Sequence, residues 1–241
     1  MPKLSPARES VPIIDGLKLR HRGKVRDTYE LEDDLLLVVC TDAISIFDFV
    51  LNALVPRKGE VLTAMSHFWL KQLEVFGVHT HYVAVGRSID RYLPVALRGD
   101  VALQKRAMVV QKLDMHKVEF IGRVCLTGSV LSEYQMYCTV GGMPLPSGLQ
   151  DGDELPYILD TPTNKAEEGH DEPIDTAMVR RMYPQETMLL IRVIQIINSI
   201  ARKRGNILAD TKLEVGMNGA GLLCVGDEVG NLHNLAVGAA R

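Results

Sequence analysis

The stretch ILADTKLEVG, residues 207 to 216, decides how this chain is read. Successive side chains of a strand point to opposite faces. Taken as a strand, it puts Leu208, Asp210, Lys212 and Glu214 on one face and Ile207, Ala209, Thr211, Leu213 and Val215 on the other. The second set can be buried. The first sets an acid, a base and an acid in a row, roughly 7 Å apart at two-residue spacing. A solvated sheet edge explains such a row; so does a site for a polyphosphate and its metal ion.

The sequence that follows bears on the choice. MNGAG (217–221) is a turn signal, and after it come the apolar run LLCV (222–225) and GDEV (226–229). A hairpin centred near Gly219 sets Glu214 opposite Cys224 and returns Asp227 and Glu228 beside Asp210 and Lys212. Three or four carboxylates then surround one lysine. They repel one another unless a cation sits among them, and oxygen ligands on adjacent strands suit Mg²⁺ shared with phosphates. The alternative is a hairpin face open to water.

The whole chain narrows the class. Its 241 residues suit one large domain or two small ones, and 46% hydrophobic content supports a substantial core. A formal net charge of −3 offers no electrostatic case for nucleic acid or a membrane surface. Cys40, Cys125, Cys138 and Cys224 are scattered without a C-x-x-C pair, as expected of reduced thiols rather than of disulfides or a zinc site. No apolar run reaches membrane-spanning length, and MPKLSPARES lacks the apolar core of a secretory signal. The expectation is a soluble, cytoplasmic protein.

Along the chain, GKVRDTYEL and DDLLLVVCT read as two strands around an acidic turn at Glu32 to Asp34, with Leu35 to Cys40 covered on both faces. Residues 59–76 place Val61, Leu62, Met65, Phe68, Trp69 and Leu73 on one helical stripe that Gly77 can end. Strand patterning resumes at AMVVQKLD and VEFIGRVCL, near residues 107 to 126. Residues 139–175 are rich in Gly, Pro, Asp and Thr with little periodicity, as in a long binding loop. ETMLLIRVIQIINSIARKRG is a helix with a basic last turn and Gly205 placed to cap it. A boundary near residues 108 to 114 separates a strand-rich N-terminal lobe, 1–110, from an α+β C-terminal lobe, 111–241.

Other constellations carry chemistry. GKVRD puts Lys24 and Arg26 on one strand face beside Gly23, a pair able to clamp phosphates or simply to decorate an edge strand. It is not a Walker loop. GRVCLTGSV joins Arg123 to a Thr-Gly-Ser turn ending in Ser129, which suits an anion but is also an ordinary turn. TPTNKAEEGHDEPID gathers Lys165, His170 and Asp171 in a loop, where His170 is either an acid–base group or inert. In TDAISIFDFV, Asp42, Ser45 and Asp48 either line a cleft or make turn and capping hydrogen bonds.

Taken in order, GKVRDTYE, TDAISIFDF, KGEVLTAMSHFW, THYV, VEFIGRVCLTGSVLSEY, LPSGL, TPTNKAEEGHDE, ADTKLEVG and GDEV resemble the SAICAR synthetase family, over residues 22 to 228. The resemblance implies an α+β, two-lobed fold with an ATP cleft between the lobes, similar to ATP-grasp and kinase-like enzymes. It also implies an ATP- and Mg²⁺-dependent ligase of purine biosynthesis that joins carboxyaminoimidazole ribonucleotide to L-aspartate through an acyl phosphate.

Carried over by position, Lys24, Arg26, Lys112, Met115 and Glu119 would contact ATP. Glu214 and Asp227 would hold Mg²⁺, and Lys212 with Asp210 would sit at the transferring phosphoryl group. Asp42, Ser45, Asp48, Arg123, Ser129, Lys165, His170 and Asp171 would form the ribonucleotide and aspartate sites. The implied partners are small molecules, with no nucleic acid and no membrane, and a homo-oligomer is in keeping with the family.

The chain departs from the family pattern at two points. Ala43 replaces the arginine or lysine of the T-D-R motif. After GDEV the sequence runs GNLHNLAVGAAR, without the P-D-x-S-R-x-W segment. Two alternatives therefore stand beside the ligase: a nucleotide-binding relative impaired in turnover, and a ligase of the same fold acting on a different carboxylate or amine.

Overall fold

The computed structural model describes residues 4–46, 49–165, 172–229 and 235–236. The chain divides into two units: Met1–Lys71 with His81–Leu113, and Gln72–Thr80 with Asp114–Arg241.

In the first unit, strands β1 (Lys18–Arg22), β2 (Arg26–Glu30), β3 (Leu35–Cys40), β6 (Tyr82–Val85) and β7 (Ala107–Gln111) form an antiparallel sheet in the order β1-β2-β3-β7-β6. Alternation along β3 sends Leu37 and Val39 into a core with Tyr29, Ile89, Leu93, Leu103, Ala107 and Val109. Leu35, Leu36 and Val38 are only half-buried, so β3 is fully covered on one face rather than both. The acidic turn falls at Glu32 to Asp34, with Asp33 and Asp34 at positive φ of 56° and 55°. Asp tolerates that conformation better than most residues.

The β1–β2 turn corrects one expectation. The Gly23 N–H donates to the Arg26 carbonyl (2.7 Å), so Lys24 stands in the turn, not on a strand face with Arg26. A Cβ at Gly23 would stand 3.0 Å from that carbonyl oxygen, closer than ordinary contact. Helix α1 (Pro6–Glu9) is pinned beneath the same turn. Its Arg8 is fully buried, pairs with Asp27 and donates from Nε to the Gly23 carbonyl (3.1 Å). Strands β4 (Ala43–Ile46) and β5 (Phe49–Leu54) make a separate two-stranded ribbon.

Helix α2 (Lys58–Val75) begins in the first unit. Its Trp69, Leu70 and Leu73 are buried, but Val61 and Phe68 are 47% and 39% exposed, so the buried stripe is narrower than the periodicity suggests. Gly77, at φ +73°, ends it. Helix α3 (Val101–Arg106), capped by the Asp100 carboxylate, leads into β7.

The second unit is built on strands β8 (Asp114–Met115), β9 (Val118–Cys125), β12 (Glu154–Asp160), β13 (Thr163–Asn164), β14 (Glu172–Pro173), β16 (Asp210–Met217) and β17 (Leu223–Gly226). They form one antiparallel sheet with β9 and β16 at its centre; β12 and β13 line the other edge of β9, and β8 pairs with β16. Two further strands, β10 (Thr139–Val140) and β11 (Met143–Pro144), form a small ribbon. The stretch 139–175, read from sequence as an aperiodic loop, thus contains five short strands among its described residues. Their two- to seven-residue lengths are too brief to print a period on the sequence.

Helices α4 (Leu131–Tyr137), α5 (Thr176–Met182) and α6 (Pro184–Arg202) complete the unit. Seven buried apolar residues of α6, among them Leu190, Val193, Ile194 and Ile197, form the apolar stripe, and Gly205 at φ +75° follows its end. The stretch 207–216 is two strands, not one. β15 (Ile207–Leu208) pairs with β18 (Leu235–Ala236), and β16 starts at Asp210. The break sits at Ala209, whose carbonyl accepts from both Val124 and Cys125 N–H groups (2.8 and 3.0 Å).

Candidate active site

The site grows from the pairing of β9 with β16, which sets Asp210 opposite Arg123, Thr211 opposite Gly122, Lys212 opposite Ile121 and Leu213 opposite Phe120. Opposed residues share a face. Phe120, Gly122, Thr211 and Leu213 therefore turn together toward α6. Contact there is so close that a Cβ on Gly122 would collide with Ile194 Cδ1 and stand 3.3 Å from Leu190 Cγ. The opposite face carries Glu119 and Arg123 from β9 and Asp210, Lys212 and Glu214 from β16.

Two clusters form on this polar face. In the first, the Lys212 ammonium donates to Glu119 Oε1 (2.6 Å) and to Glu214 Oε1 (3.1 Å). Lys165 donates to the other oxygen of Glu214, and the Thr163 hydroxyl to Glu119 Oε2 (3.4 Å). The carboxylates are 5% and 8% exposed, while the Lys212 side chain is 45% exposed. Two acids and two ammonium groups balance in charge. Burial alone would lower the Lys212 pKa, but the Glu214 charge and the Glu119 hydrogen bond outweigh it and hold the amine above the ordinary lysine value of 10.5. Lys212 is therefore a fixed cation, suited to stabilising negative charge and unsuited to abstracting protons.

In the second cluster, Arg123 donates from Nε to Thr161 Oγ1 (2.9 Å) and from Nη2 to Ser129 Oγ (3.2 Å), with Asp210 Oδ2 at 3.6 Å from Nη1. Burial pushes its pKa down from the usual value while Asp210 opposes the shift. The guanidinium stays charged in either case.

The hairpin register differs from the sequence expectation. Glu214 pairs with Gly226, and Cys224 pairs with Gly216. The reason is a loop of five residues, 218–222, closed by Asn218, whose Oδ1 accepts from the Ala220 and Leu222 N–H groups (3.0 Å each). The turn centre moves to Ala220, and the return strand slides by two residues. Slippage by an even number keeps each side chain on its own face. Asp227 thus follows Gly226, the partner of Glu214, at a positive φ of 52°.

The remaining expected site residues are dispersed in the chain. Lys24, Arg26 and Lys112 belong to the first unit, where Lys112 pairs loosely with Asp34 (3.8 Å); Met115, in the second, lies on β8 opposite Gly216. Asp42 accepts from the Gly59 N–H at the start of α2 (2.9 Å) and faces Arg106 (3.5 Å), which is the capping alternative. Ser45 lies on β4 opposite Val50. Asp48, His170 and Asp171 lie outside the described residues.

Among the described residues no three His, Cys, Asp or Glu side chains gather around a common point. All four cysteines are free, and burial pushes the Cys125 and Cys224 thiols up. No helix among the described residues is long and apolar enough to cross a membrane.

Sequence reasoning missed Thr161 and Thr163. Both stand in TPTNK, but their value depends on β12 and β13 lying beside β9, a long-range pairing that local pattern does not reveal. The family resemblance gives Glu119 to the nucleotide; in this structure its buried carboxylate accepts from Lys212.

Solved structures place this arrangement in a class. The chain is similar to SAICAR synthase from Saccharomyces cerevisiae, determined in complex with SAICAR, with a TM-score of 0.82 and 33% identity over 94% of this chain and 78% of that one. It is also similar to a SAICAR synthetase in complex with ADP, with a TM-score of 0.68 and 25% identity over 86% of this chain and 79% of that one. The fold is thus the α+β fold of these synthetases.

The family model for SAICAR synthetase matches residues 19–233. Phosphoribosylaminoimidazole-succinocarboxamide synthase of Saccharopolyspora erythraea is 43% identical over 213 residues, covering 86% of this chain and 68% of that relative. The chain belongs to the SAICAR synthetase family.

Proposed function

We propose that the chain is an ATP-dependent ligase that joins carboxyaminoimidazole ribonucleotide to L-aspartate in purine biosynthesis. A carboxylate oxygen of the ribonucleotide takes the γ-phosphoryl group of ATP and ADP leaves. The aspartate amine then attacks the acyl carbon, and phosphate departs with that oxygen. Family membership supports this, as do the names and bound molecules of the similar proteins. The observation that carries it is the Lys212 ammonium held between Glu119 and Glu214 on the face that also bears Arg123.

Phosphoryl transfer needs positioning and charge stabilisation more than covalent help. We assign Lys212 to the charge that develops on the transferring group, with Glu119 orienting its ammonium. Asp210, beside Arg123, helps to set that edge of the polar face. Arg123 and Ser129 take the ribonucleotide, and Lys165 balances Glu214. Lys24 and Arg26 keep the nucleotide assignment in the first unit.

Glu214 and Asp227 offer two carboxylates next to the end of one hairpin, too few for a closed cage but suited to Mg²⁺, which commonly takes one or two carboxylates with phosphate oxygens completing its shell. When bound there it would neutralise phosphate charge; Lys165 and Lys212, which hold both Glu214 oxygens in this structure, supply positive charge at the same place. Small-molecule substrates and a cytoplasmic setting follow from the assignment, and we extend it to a homo-oligomer as in the family.

A second function is favoured by one specific feature. Ala43, where the family pattern has a cation, is fully buried. A relative that binds nucleotide without turnover fits that loss. Calorimetry with Mg·ATP, followed by ADP release with ribonucleotide and L-aspartate, separates the two. Binding without aspartate-dependent ligation selects the impaired relative; ligation of another amino acid selects a changed specificity.

A further inference from the structure

We propose that Thr161 is a positioning residue for Arg123, and that the ion pair between Asp160 and Arg180 fixes Thr161 from helix α5. The proposal rests on the assignment of Arg123 to the ribonucleotide.

Thr161 follows β12, and its N–H donates to the Ile121 carbonyl (2.8 Å), which ties it to β9 two residues from Arg123. Its hydroxyl oxygen accepts from Arg123 Nε at 2.9 Å. A guanidinium is planar and rigid, with five N–H donors in a fixed fork. Holding Nε therefore sets the plane of the whole group and aims both Nη atoms, one of which reaches Ser129 at 3.2 Å.

The neighbour of Thr161 is anchored separately. Asp160, 7% exposed, pairs in register with Gly122, and its carboxylate is gripped at both oxygens by Arg180, with Nε to Oδ2 at 2.9 Å. The Thr176 hydroxyl donates to the Asp160 carbonyl (3.4 Å). Both contacts come from α5, whose first turn is capped by the Asp175 carboxylate accepting from Ala177 and Met178 N–H groups (2.7 and 3.3 Å). Bidentate Arg–carboxylate pairs fix orientation as well as distance. The path runs from α5 through Arg180 and Asp160 to Thr161, and from Thr161 to the guanidinium that meets the substrate.

Calorimetry with carboxyaminoimidazole ribonucleotide, in the presence of a non-hydrolysable ATP analogue, tests this. Thr161→Val keeps the shape and removes the acceptor, and raises the ribonucleotide Kd roughly five- to tenfold. Thr161→Ser retains the acceptor and restores binding to within about twofold of the parent. Arg180→Gln, acting at one remove, raises the same Kd about two- to fourfold. The Kd for the ATP analogue stays at the parent value in all three.

A Thr161→Val protein that binds ribonucleotide as tightly as the parent, while Arg123→Gln does not, overturns the positioning role. Equal weakening toward nucleotide and ribonucleotide overturns it too, because it marks a general loss of structure. If Arg123→Gln itself leaves ribonucleotide binding unchanged, the underlying assignment has failed instead. Should Thr161→Val not fold, Thr161→Ala carries the same comparison.

Discussion

The two faces of the β9–β16 pair obey different rules. Toward α6, the side chains of Phe120 and Leu213 pack against an apolar helix, and Gly122 is small because Leu190 and Ile194 occupy the space. Shape decides each residue there. On the other face Glu119, Lys212, Glu214 and Lys165 are held by charge, as are Arg123 and Asp210. Buried charges are costly unless paired. An antiparallel sheet needs only one apolar face to pack, and the paired charges on the other are the ones to which the proposed function assigns the chemistry.

Substitutions on each face should therefore fail in different ways. The largest effect belongs to Lys212→Ala, which removes the central cation. Its kcat should fall at least a hundredfold, the order seen when a preorganised charge-stabilising group is lost, and melting should fall as well, because the buried Glu119 carboxylate loses the cation that pairs with it. A retained rate would place Lys212 outside the chemistry.

Gly122→Val acts on the opposite face. Overpacking against Ile194 should cost about 1–3 kcal/mol, read as a lower urea midpoint. Ile194→Ala in the same chain should recover part of that loss, and a cycle with no coupling would contradict the close approach.

Asn218→Ala tests the link between the faces. Loss of the two N–H contacts that set the five-residue loop should cost about 1 kcal/mol in a denaturant titration, with kcat kept if the register holds.

The smallest effect is alkaline. The Lys212 pKa is raised in the folded state, so its ion-pair stabilisation is complete below 10.5 and is lost as pH rises through the higher folded value. The stability gap between the parent and Lys212→Met should be level from neutral pH to about 9 and should narrow above that, by less than about 1 kcal/mol given the exposure of the lysine. A gap that widens with alkali would reverse the sign of the interaction.

Much of this face could be read before any coordinates. Period-two alternation put Asp210, Lys212 and Glu214 together, and the charged side chains do share a face. The pairing register could not be read, because Asn218 can open either a tight or a five-residue turn and the choice lies in its side-chain hydrogen bonds. Leu208 was grouped with them because the break at Ala209 leaves no mark on the alternation. The role of Thr161 was hidden for another reason: it is 38 residues from Arg123 in sequence, and only the pairing of β12 with β9 brings them together. Family resemblance added the substrates, which no pattern of strands contains.

The most direct test follows one oxygen atom. Carboxyaminoimidazole ribonucleotide labelled with ¹⁸O in its carboxylate is turned over with ATP and L-aspartate, and the released phosphate is weighed by mass spectrometry. Activation on the polar face of β9 and β16 predicts that one labelled oxygen leaves with each phosphate. Unlabelled phosphate formed alongside amide product would contradict it.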